Sequence, residues 1–203
     1  MAGRFIVLEG LDGSGKSTQI TLLAQALQAQ GRKVHCTAEP TSSATGGLIR
    51  DTLSGSYARS GAELAALFLT DRIAHNVDPV RGFRRLLREG WDVVCDRYYY
   101  SSFAYQGLST DLDWVLDMNL NCPDLAKPDL CVFLDVDHKS CKERLDQDRA
   151  FLEIFERDPE QMNETRRLFL EVFRRLEGRE NIRVVDANRS AGEVAEEILQ
   201  LVN

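Results

Sequence analysis

A glycine-rich stretch near the start of the chain has the residue types and spacing for binding phosphate. It spans residues 10–18 and matches the pattern G-x-x-x-x-G-K-[ST] at Gly10, Gly15, Lys16 and Ser17. The glycines allow a tight turn whose backbone N–H groups surround an anion at the start of a helix. Lys16 can reach the outer phosphates of a nucleotide, and the Ser17 hydroxyl is placed to bind Mg²⁺. This stretch, the phosphate loop, predicts a nucleoside triphosphate site; the alternative is a glycine-rich turn that binds nothing.

A second group of charged residues follows the apolar stretch 92–95. Asp96 and Arg97 come directly after this predicted strand, so their side chains should emerge at the sheet edge that also carries the phosphate loop. A carboxylate there can hold Mg²⁺, and a guanidinium can bind a phosphate through two parallel hydrogen bonds. The alternative is an exposed Asp–Arg pair in a turn, which would contribute little.

Phe68 and Arg72 lie four residues apart on a predicted helix and therefore share one face. A ring and a guanidinium together can stack on a planar base and hydrogen-bond its edge. A core phenylalanine beside a surface arginine would give the same spacing. Just past Arg97, the segment 101–107 adds hydroxyl and amide groups that suit a base and a sugar.

Short apolar segments alternate with helical segments along the whole chain. Strands are predicted at 5–9, 34–38, 92–95, 130–135 and 182–186. Helices are predicted at 17–30, 47–53, 62–89, 113–119, 139–146, 159–176 and 191–202, and Pro79 is expected to kink or split the third of these. Strand–helix alternation without a linker predicts one α/β domain over residues 1–203, with three layers and a five-stranded parallel sheet.

Charge and composition exclude several classes of protein. The formal net charge of −7 argues against a protein that binds nucleic acid or anionic membranes non-specifically. No apolar run approaches the roughly 18 residues of a membrane span, and the start of the chain has no signal-peptide pattern. The five cysteines are scattered without a C-x-x-C pair, as expected for reduced thiols, so we expect a cytoplasmic protein.

These motifs together resemble the thymidylate kinase family. The resemblance rests on residues 5–18, on Glu39-Pro40-Thr41, on Phe68 with Arg72, on Asp96-Arg97-Tyr98 and on residues 102–107. Further matches are 128–130 and 133–136, so the similarity spans nearly the whole chain in order. It implies a P-loop NTPase fold with a lid segment, and transfer of the ATP γ-phosphoryl group to dTMP with Mg²⁺. It also implies a homodimer packed through helices, to which apolar residues of 62–74 could contribute.

The resemblance also assigns roles to individual residues. ATP would be bound by Gly10, Asp12, Gly13, Ser14, Gly15, Lys16, Ser17 and Thr18, with Ser17 and Asp96 organising the metal. Asp12 would also lie near the deoxyribose 3′-hydroxyl. Arg97 and Arg50 would hold the dTMP phosphate, while Phe68 stacks on thymine and Arg72 binds its edge. Ser102 and Gln106 would contact the base, and Tyr105 would close against the sugar where a ribose 2′-hydroxyl would otherwise sit.

The sequence departs from the family pattern at two places. Ala38 precedes Glu39-Pro40 where many relatives carry arginine, and the expected lid, about 141–157, lacks a clear Asp-Arg-x-Glu string. Because Gly13 replaces the loop arginine of some members, the transition-state cation should come from the lid, with Arg149 favoured over Arg144. The charged segment could instead be a solvated helix face.

Two other functions fit the phosphate loop. One is a P-loop kinase that acts on a different nucleoside or nucleoside monophosphate. The other is a nucleotide-binding switch without an acceptor, which would not need a second arginine-rich pocket.

Overall fold

Five apolar segments form the sheet in the computed structural model of the chain, which describes residues 3–137, 139–141 and 159–203. The strands are β1 (Phe5–Glu9), β2 (Val34–Ala38), β3 (Asp92–Asp96), β4 (Leu130–Asp135) and β5 (Ile182–Asp186). All pair in parallel, in the spatial order β2-β3-β1-β4-β5. The predicted parallel five-stranded sheet is thus confirmed, with β3 one residue longer than expected.

Eight α-helices lie within the described residues and cover both faces of the sheet. They are α1 (Lys16–Ala29), α2 (Ala44–Leu53), α3 (Gly61–Val77), α4 (Phe83–Arg88), α5 (Tyr99–Tyr105), α6 (Leu112–Leu120), α7 (Pro159–Arg175) and α8 (Ala191–Val202). A 3₁₀ turn at Gln106–Leu108 follows α5. The predicted three-layer α/β architecture is therefore present.

The segment predicted as one helix over 62–89 is divided into α3 and α4. Pro79 cannot donate a backbone hydrogen bond and disfavours helix at the residue before it, so α3 ends at Val77. The Asp78 carboxylate then accepts the backbone N–H groups of Val80 at 2.8 Å and Arg81 at 2.7 Å, which closes the turn. The split expected at Pro79 is confirmed.

The side chains of β1 alternate between two hydrophobic clusters. Phe5 and Val7 point to a face rich in aromatic rings from α4, α5 and α7. Ile6 and Leu8 point to the opposite face, which is covered by α1 and α8. Because both faces of β1 are packed, its whole length is buried, as expected for a central parallel strand.

The carboxyl ends of the central strands lie level with one another. Leu8 pairs with Asp96, and Ala38 pairs with the same residue from the other side. The phosphate loop after β1, the Glu39-Pro40 segment after β2 and the Asp96-Arg97 segment after β3 therefore meet at one edge of the sheet. Among the described residues, the helices are either too short or too polar to cross a membrane.

Candidate active site

The phosphate loop adopts the backbone that its glycines were expected to permit. Gly13 and Gly15 have φ values of 79° and 97°, in the left-handed region where side chains are strained. Gly10 has φ 150°, and a Cβ there would lie 2.6 Å from the Ser14 hydroxyl oxygen. Gly15 precedes α1 without a side-chain cap, so the first N–H groups of that helix face the loop. The geometry is that of an anion nest at a helix N-terminus.

The side chain of Lys16 lies against the backbone of the phosphate loop. Its Nζ donates to the carbonyl oxygens of Gly10 and Leu11, both at 3.0 Å, and lies 3.5 Å from Oδ1 of Asp12. Its side chain is only 7% exposed, so the charge is concentrated inside the loop. The neighbouring Ser17 and Thr18 are exposed at the first turn of α1.

Asp12 also contacts the second predicted phosphate-binding residue. Arg97 Nη2 donates to Oδ1 of Asp12, the same oxygen that faces Lys16. Arg97 Nη1 donates to Ser101 Oγ at 3.1 Å, and its guanidinium lies 5.2 Å from the ring centroid of Tyr105. Arg97 itself has φ 65°, a conformation that only surrounding contacts can hold in a residue with a bulky side chain. One carboxylate therefore links the two cations.

Glu9, at the end of β1, fixes the segment that holds Arg97. Its buried carboxylate accepts the N–H of Tyr98 at 2.8 Å, the N–H of Ser101 at 3.1 Å and the Ser101 hydroxyl at 2.6 Å. Burial raises the pKa of Glu9, and the charge of Arg97 and these hydrogen bonds counteract the rise. Sequence reasoning gave Glu9 no role; the polar residue at the end of an apolar central strand was the available signal.

A cavity opens beside Arg97. This acceptor cavity is lined by Glu39, Pro40, Leu53, Phe68, Arg72, Arg97, Tyr98, Ser101, Tyr105 and Gln106. Five of the residues predicted to bind the acceptor nucleotide are thus brought together: Phe68, Arg72, Arg97, Tyr105 and Gln106. The wall combines an aromatic face, a buried amide and two guanidinium groups, which suits a planar base carrying an anionic group.

Phe68 and Arg72 do not follow the alternative of a core ring beside a surface cation. Phe68 is half-buried and packs on the cluster of Ile49, Leu53 and Leu64, whereas Arg72 is only 1% exposed. The hydroxyl of Ser102 accepts a hydrogen bond from Arg72 Nη2 at 3.1 Å. Ser102 is not one of the described residues that line the acceptor cavity. Ser102 therefore lies behind Arg72.

Arg50 is not at the acceptor cavity. Its exposed guanidinium donates to the backbone carbonyl oxygens of Pro40 at 3.3 Å and Thr41 at 2.7 Å. It lines a neighbouring cavity that shares Pro40 with the first. The hydroxyl groups of the loop before α2 also bond within the protein, since Thr41 and Ser43 both donate to the buried carboxylate of Asp71.

Asp96 has the chemistry expected of a magnesium ligand. Its Oδ1 is buried, and no described residue donates a hydrogen bond to it. A buried, unsatisfied carboxylate oxygen is costly unless a cation or a water binds it. The described residues contain no cluster of three or more side chains that could hold a metal by themselves. Mg²⁺ usually binds through one or two carboxylates plus substrate phosphates, so Asp96 and Ser17 fit that ion.

A third cavity lies on the other side of the phosphate loop. It is lined by Ser14, Gly15, Thr18, Gln19, Ala187, Arg189, Ala191 and Val194. Gln19 and Arg189 were given no role from the sequence, because Gln19 lies in α1 just beyond the phosphate-loop motif and the segment after β5, which carries Arg189, has no motif. The expected lid at about 141–157 and its arginines, Arg149 and Arg144, lie outside the described residues except for Cys141.

The fold and the site define a class of protein. The phosphate loop follows the central strand of a parallel sheet, and the carboxylate of Asp12 links it to Arg97 at the acceptor cavity. This is the arrangement of a P-loop nucleotide kinase. The family profile described as thymidylate kinase matches residues 8–198. The chain belongs to the thymidylate kinase family and is a nucleoside monophosphate kinase.

Individual relatives match over nearly their whole length. A probable thymidylate kinase of Pyrococcus horikoshii is 38% identical over 209 aligned positions, which cover 100% of this chain and 97% of that protein. One from Caldivirga maquilingensis is 34% identical, over 98% of this chain and 92% of the relative. The structure of thymidylate kinase from Candida albicans superimposes with a TM-score of 0.83 at 26% identity, covering 99% of this chain and 91% of that one.

Proposed function

We propose that this protein transfers the γ-phosphoryl group of ATP to dTMP, giving dTDP and ADP, and that residues 1–203 act as one kinase domain. The observation that carries the proposal is the bridge between the two cations. Lys16 in the phosphate loop and Arg97 at the acceptor cavity both face Oδ1 of Asp12. Two phosphate-binding groups within reach of one oxygen are close enough to act on the same transferring group.

The reaction needs alignment and charge more than proton transfer. The acceptor phosphate is already an anion at neutral pH, so no general base is required. Gly13, Gly15 and Lys16 hold the donor phosphates, and Arg97 holds the acceptor phosphate in line with the γ-phosphorus. Preorganised cations at this point stabilise the charge that spreads over the transferring oxygens.

Asp96 and Ser17 would hold Mg²⁺ with the ATP phosphates. Bound there, the ion neutralises charge on the outer phosphates and fixes their orientation. The buried, unsatisfied Oδ1 of Asp96 supports this assignment. The cavity lined by Thr18, Gln19 and Arg189 provides room for the nucleoside part of ATP on the other side of the phosphate loop.

The acceptor cavity suits a thymine deoxynucleotide. Phe68 would stack on the base, Arg72 and Gln106 would bind its polar edge with Ser102 behind, and Tyr105 would close against the sugar. Arg50 is proposed as a second contact to the acceptor phosphate. To reach it, its guanidinium has to exchange the carbonyl oxygens of Pro40 and Thr41 for the phosphate.

A further cation is expected from residues 141–157. We propose that this segment closes as a lid over ATP and that Arg149 contacts the transferring group, with Arg144 as the comparison. Support comes from its charge density and from the absence of an arginine in the phosphate loop itself. Arg149→Ala should lower kcat more than it weakens dTMP binding, and unaltered kcat in both alanine variants would dismiss the idea.

The protein is also proposed to be a cytoplasmic homodimer. One face of α3 carries partly exposed apolar side chains at helical spacing: Ala62, Ala66, Leu69, Ile73 and Val77. A second copy of the chain would cover this stripe through its own α3. Sedimentation analysis of the wild-type protein and of Ile73→Glu checks this; a monomeric wild-type protein would refute it.

A coupled assay over nucleoside monophosphates tests the central proposal. With ATP and Mg²⁺, we expect dTMP to react fastest, dUMP more slowly because it lacks only the methyl group, and UMP and CMP hardly at all. The relative from Candida albicans is described as having broad substrate specificity, so the panel should include purine nucleotides. Faster turnover of AMP, CMP or thymidine than of dTMP would show that the proposed acceptor is wrong. Binding of ATP without transfer to any acceptor would favour the nucleotide-binding switch.

A further inference from the structure

A buried chain of polar side chains runs behind the acceptor cavity. Arg72 Nε donates to Glu39 at 2.7 Å, and Arg72 Nη1 donates to Asn119 Oδ1 at 2.6 Å. The other oxygen of Glu39 lies 2.9 Å from His75 Nδ1. Glu39, Arg72 and Asn119 are each at most 5% exposed, so water does not compete for these contacts.

The number of hydrogen-bond donors on Arg72 shows how many of them this buried network leaves for a ligand. A guanidinium has five N–H groups, and it cannot lose its charge in a protein. Glu39, Asn119 and Ser102 each accept one of them. Two N–H groups of Arg72 are therefore left without a partner among the described residues, on a side chain that lines the acceptor cavity.

Asn119 is well placed to fix the plane of this guanidinium. It lies at the end of α6, 47 residues from Arg72 in the sequence, and does not line the acceptor cavity among the described residues. Its own amide nitrogen donates to the Val115 carbonyl at 2.9 Å, which orients the carbonyl oxygen toward Arg72. Rotation of Arg72 would break the bonds to Asn119 and Glu39 together.

We infer that Asn119 is a positioning residue for base discrimination: it holds Arg72 so that the two remaining N–H groups of Arg72 can donate only to a base with an oxygen acceptor at that edge. This inference rests on the proposed function. A 4-keto pyrimidine offers an acceptor to both donors, whereas a 4-amino pyrimidine presents N–H groups to N–H groups. With Arg72 unable to turn away, the amino compound leaves buried donors unpaired.

The experiment compares dTMP with 5-methyl-dCMP, which keeps the methyl group and replaces the oxygen at position 4 by an amino group. The variant Asn119→Leu removes the acceptor at similar size, and Asn119→Asp restores an acceptor oxygen. We expect Asn119→Leu to raise KM for dTMP about 10-fold with a smaller change in kcat, on the scale of one hydrogen bond to a charged group. The preference in kcat/KM for dTMP over 5-methyl-dCMP should also fall about 10-fold.

Asn121→Leu is the matched control. Asn121 follows α6, is exposed and bonds only locally, to Asp117, among the described residues. Asn121→Leu should keep the wild-type preference, and Asn119→Asp, which restores the acceptor oxygen but not the donor to Val115, should recover part of it. The inference is overturned if Asn119→Leu keeps it, or if Asn119→Asp loses it as fully as Asn119→Leu does while remaining folded by circular dichroism. If Asn119→Leu does not fold, Asn119→Ala, which also removes the acceptor, is measured in the same way. A wild-type enzyme that does not phosphorylate dTMP refutes the proposed function instead.

Discussion

Replacing Arg97 tests the acceptor side of the site most directly. Its side chain is 17% exposed and already makes contacts with Asp12 and Ser101, so the guanidinium is oriented before substrate arrives. A bidentate contact with the acceptor phosphate would add two charge-assisted hydrogen bonds. Each is worth about 1.5–3 kcal/mol, so we expect Arg97→Ala to lose about 4 kcal/mol of transition-state stabilisation, or about 10³ in kcat/KM.

Arg97→Lys separates charge from geometry. Lysine keeps the positive charge but presents a single ammonium, so it should recover only part of the loss and leave kcat/KM about 30-fold below wild type. Arg88→Ala serves as the matched control. Arg88 is an exposed arginine at the end of α4, before β3, and thus at the opposite edge of the sheet. It should stay within about twofold of wild type, as expected for a surface position.

The assay is steady-state ADP formation with dTMP varied at saturating ATP. The loss in Arg97→Ala should fall on both KM for dTMP and kcat, because the contact forms with the acceptor and persists in the transition state. ATP binding should change little, since the phosphate loop is intact. Wild-type KM for dTMP and wild-type kcat in both Arg97 variants would refute the assignment, as would equal losses in Arg88→Ala.

Three further predictions concern single charged residues. Lys16→Ala should lower kcat/KM by about 10² or more, measured in the same assay. Asp96→Asn should raise the Mg²⁺ concentration needed for activity at least 10-fold, as expected for the loss of a ligand charge. Urea unfolding should show no loss of stability, because no described residue donates a hydrogen bond to the buried Oδ1 of Asp96. Burial raises the pKa of Asp92, but hydrogen bonds from Arg32 and Arg4 outweigh it and lower the pKa from 3.8 to about 2. The lowered pKa contributes about 2 kcal/mol to the free energy of unfolding above pH 3.8, and this contribution is lost as the pH falls toward 2. Asp92→Asn should therefore destabilise the folded protein at pH 7 and far less near pH 2.5.

The sheet could be predicted because its signals are local. Four of the five strands are short apolar runs that end in or just before Asp or Glu, and a parallel arrangement follows from the helices between the strands. Helix α5 was not predicted, since Tyr99–Tyr105 is short and rich in aromatic residues that favour strands. Its first turn is held by Glu9, which accepts the N–H groups of Tyr98 and Ser101 from 89 and 92 residues away. No local pattern contains that contact.

The site could be predicted where a motif has fixed spacing and not where long-range contacts decide. The phosphate loop follows from its spacing, whereas the spacing of Arg97 and of the Phe68–Arg72 pair left an alternative for each, and their roles came from the family resemblance. The burial of Arg72 depends on Glu39 and Asn119, which come from other elements. The position of Arg50 depends on backbone carbonyls, whose direction the sequence does not reveal. The roles assigned to the individual site residues, from Lys16 and Arg97 to Arg149, all stay predictions.

The position of Asp12 explains how two cation sites can coexist before either nucleotide binds. Lys16 and Arg97 carry like charges and both lie within contact of one carboxylate oxygen, which offsets their mutual repulsion. In the proposed reaction, the two phosphates would supply the negative charge that Asp12 supplies here, and the Asp12 carboxylate would then repel them. The proposed reaction therefore requires Asp12 to turn away from the phosphates, and its 29% exposure would let water solvate it there.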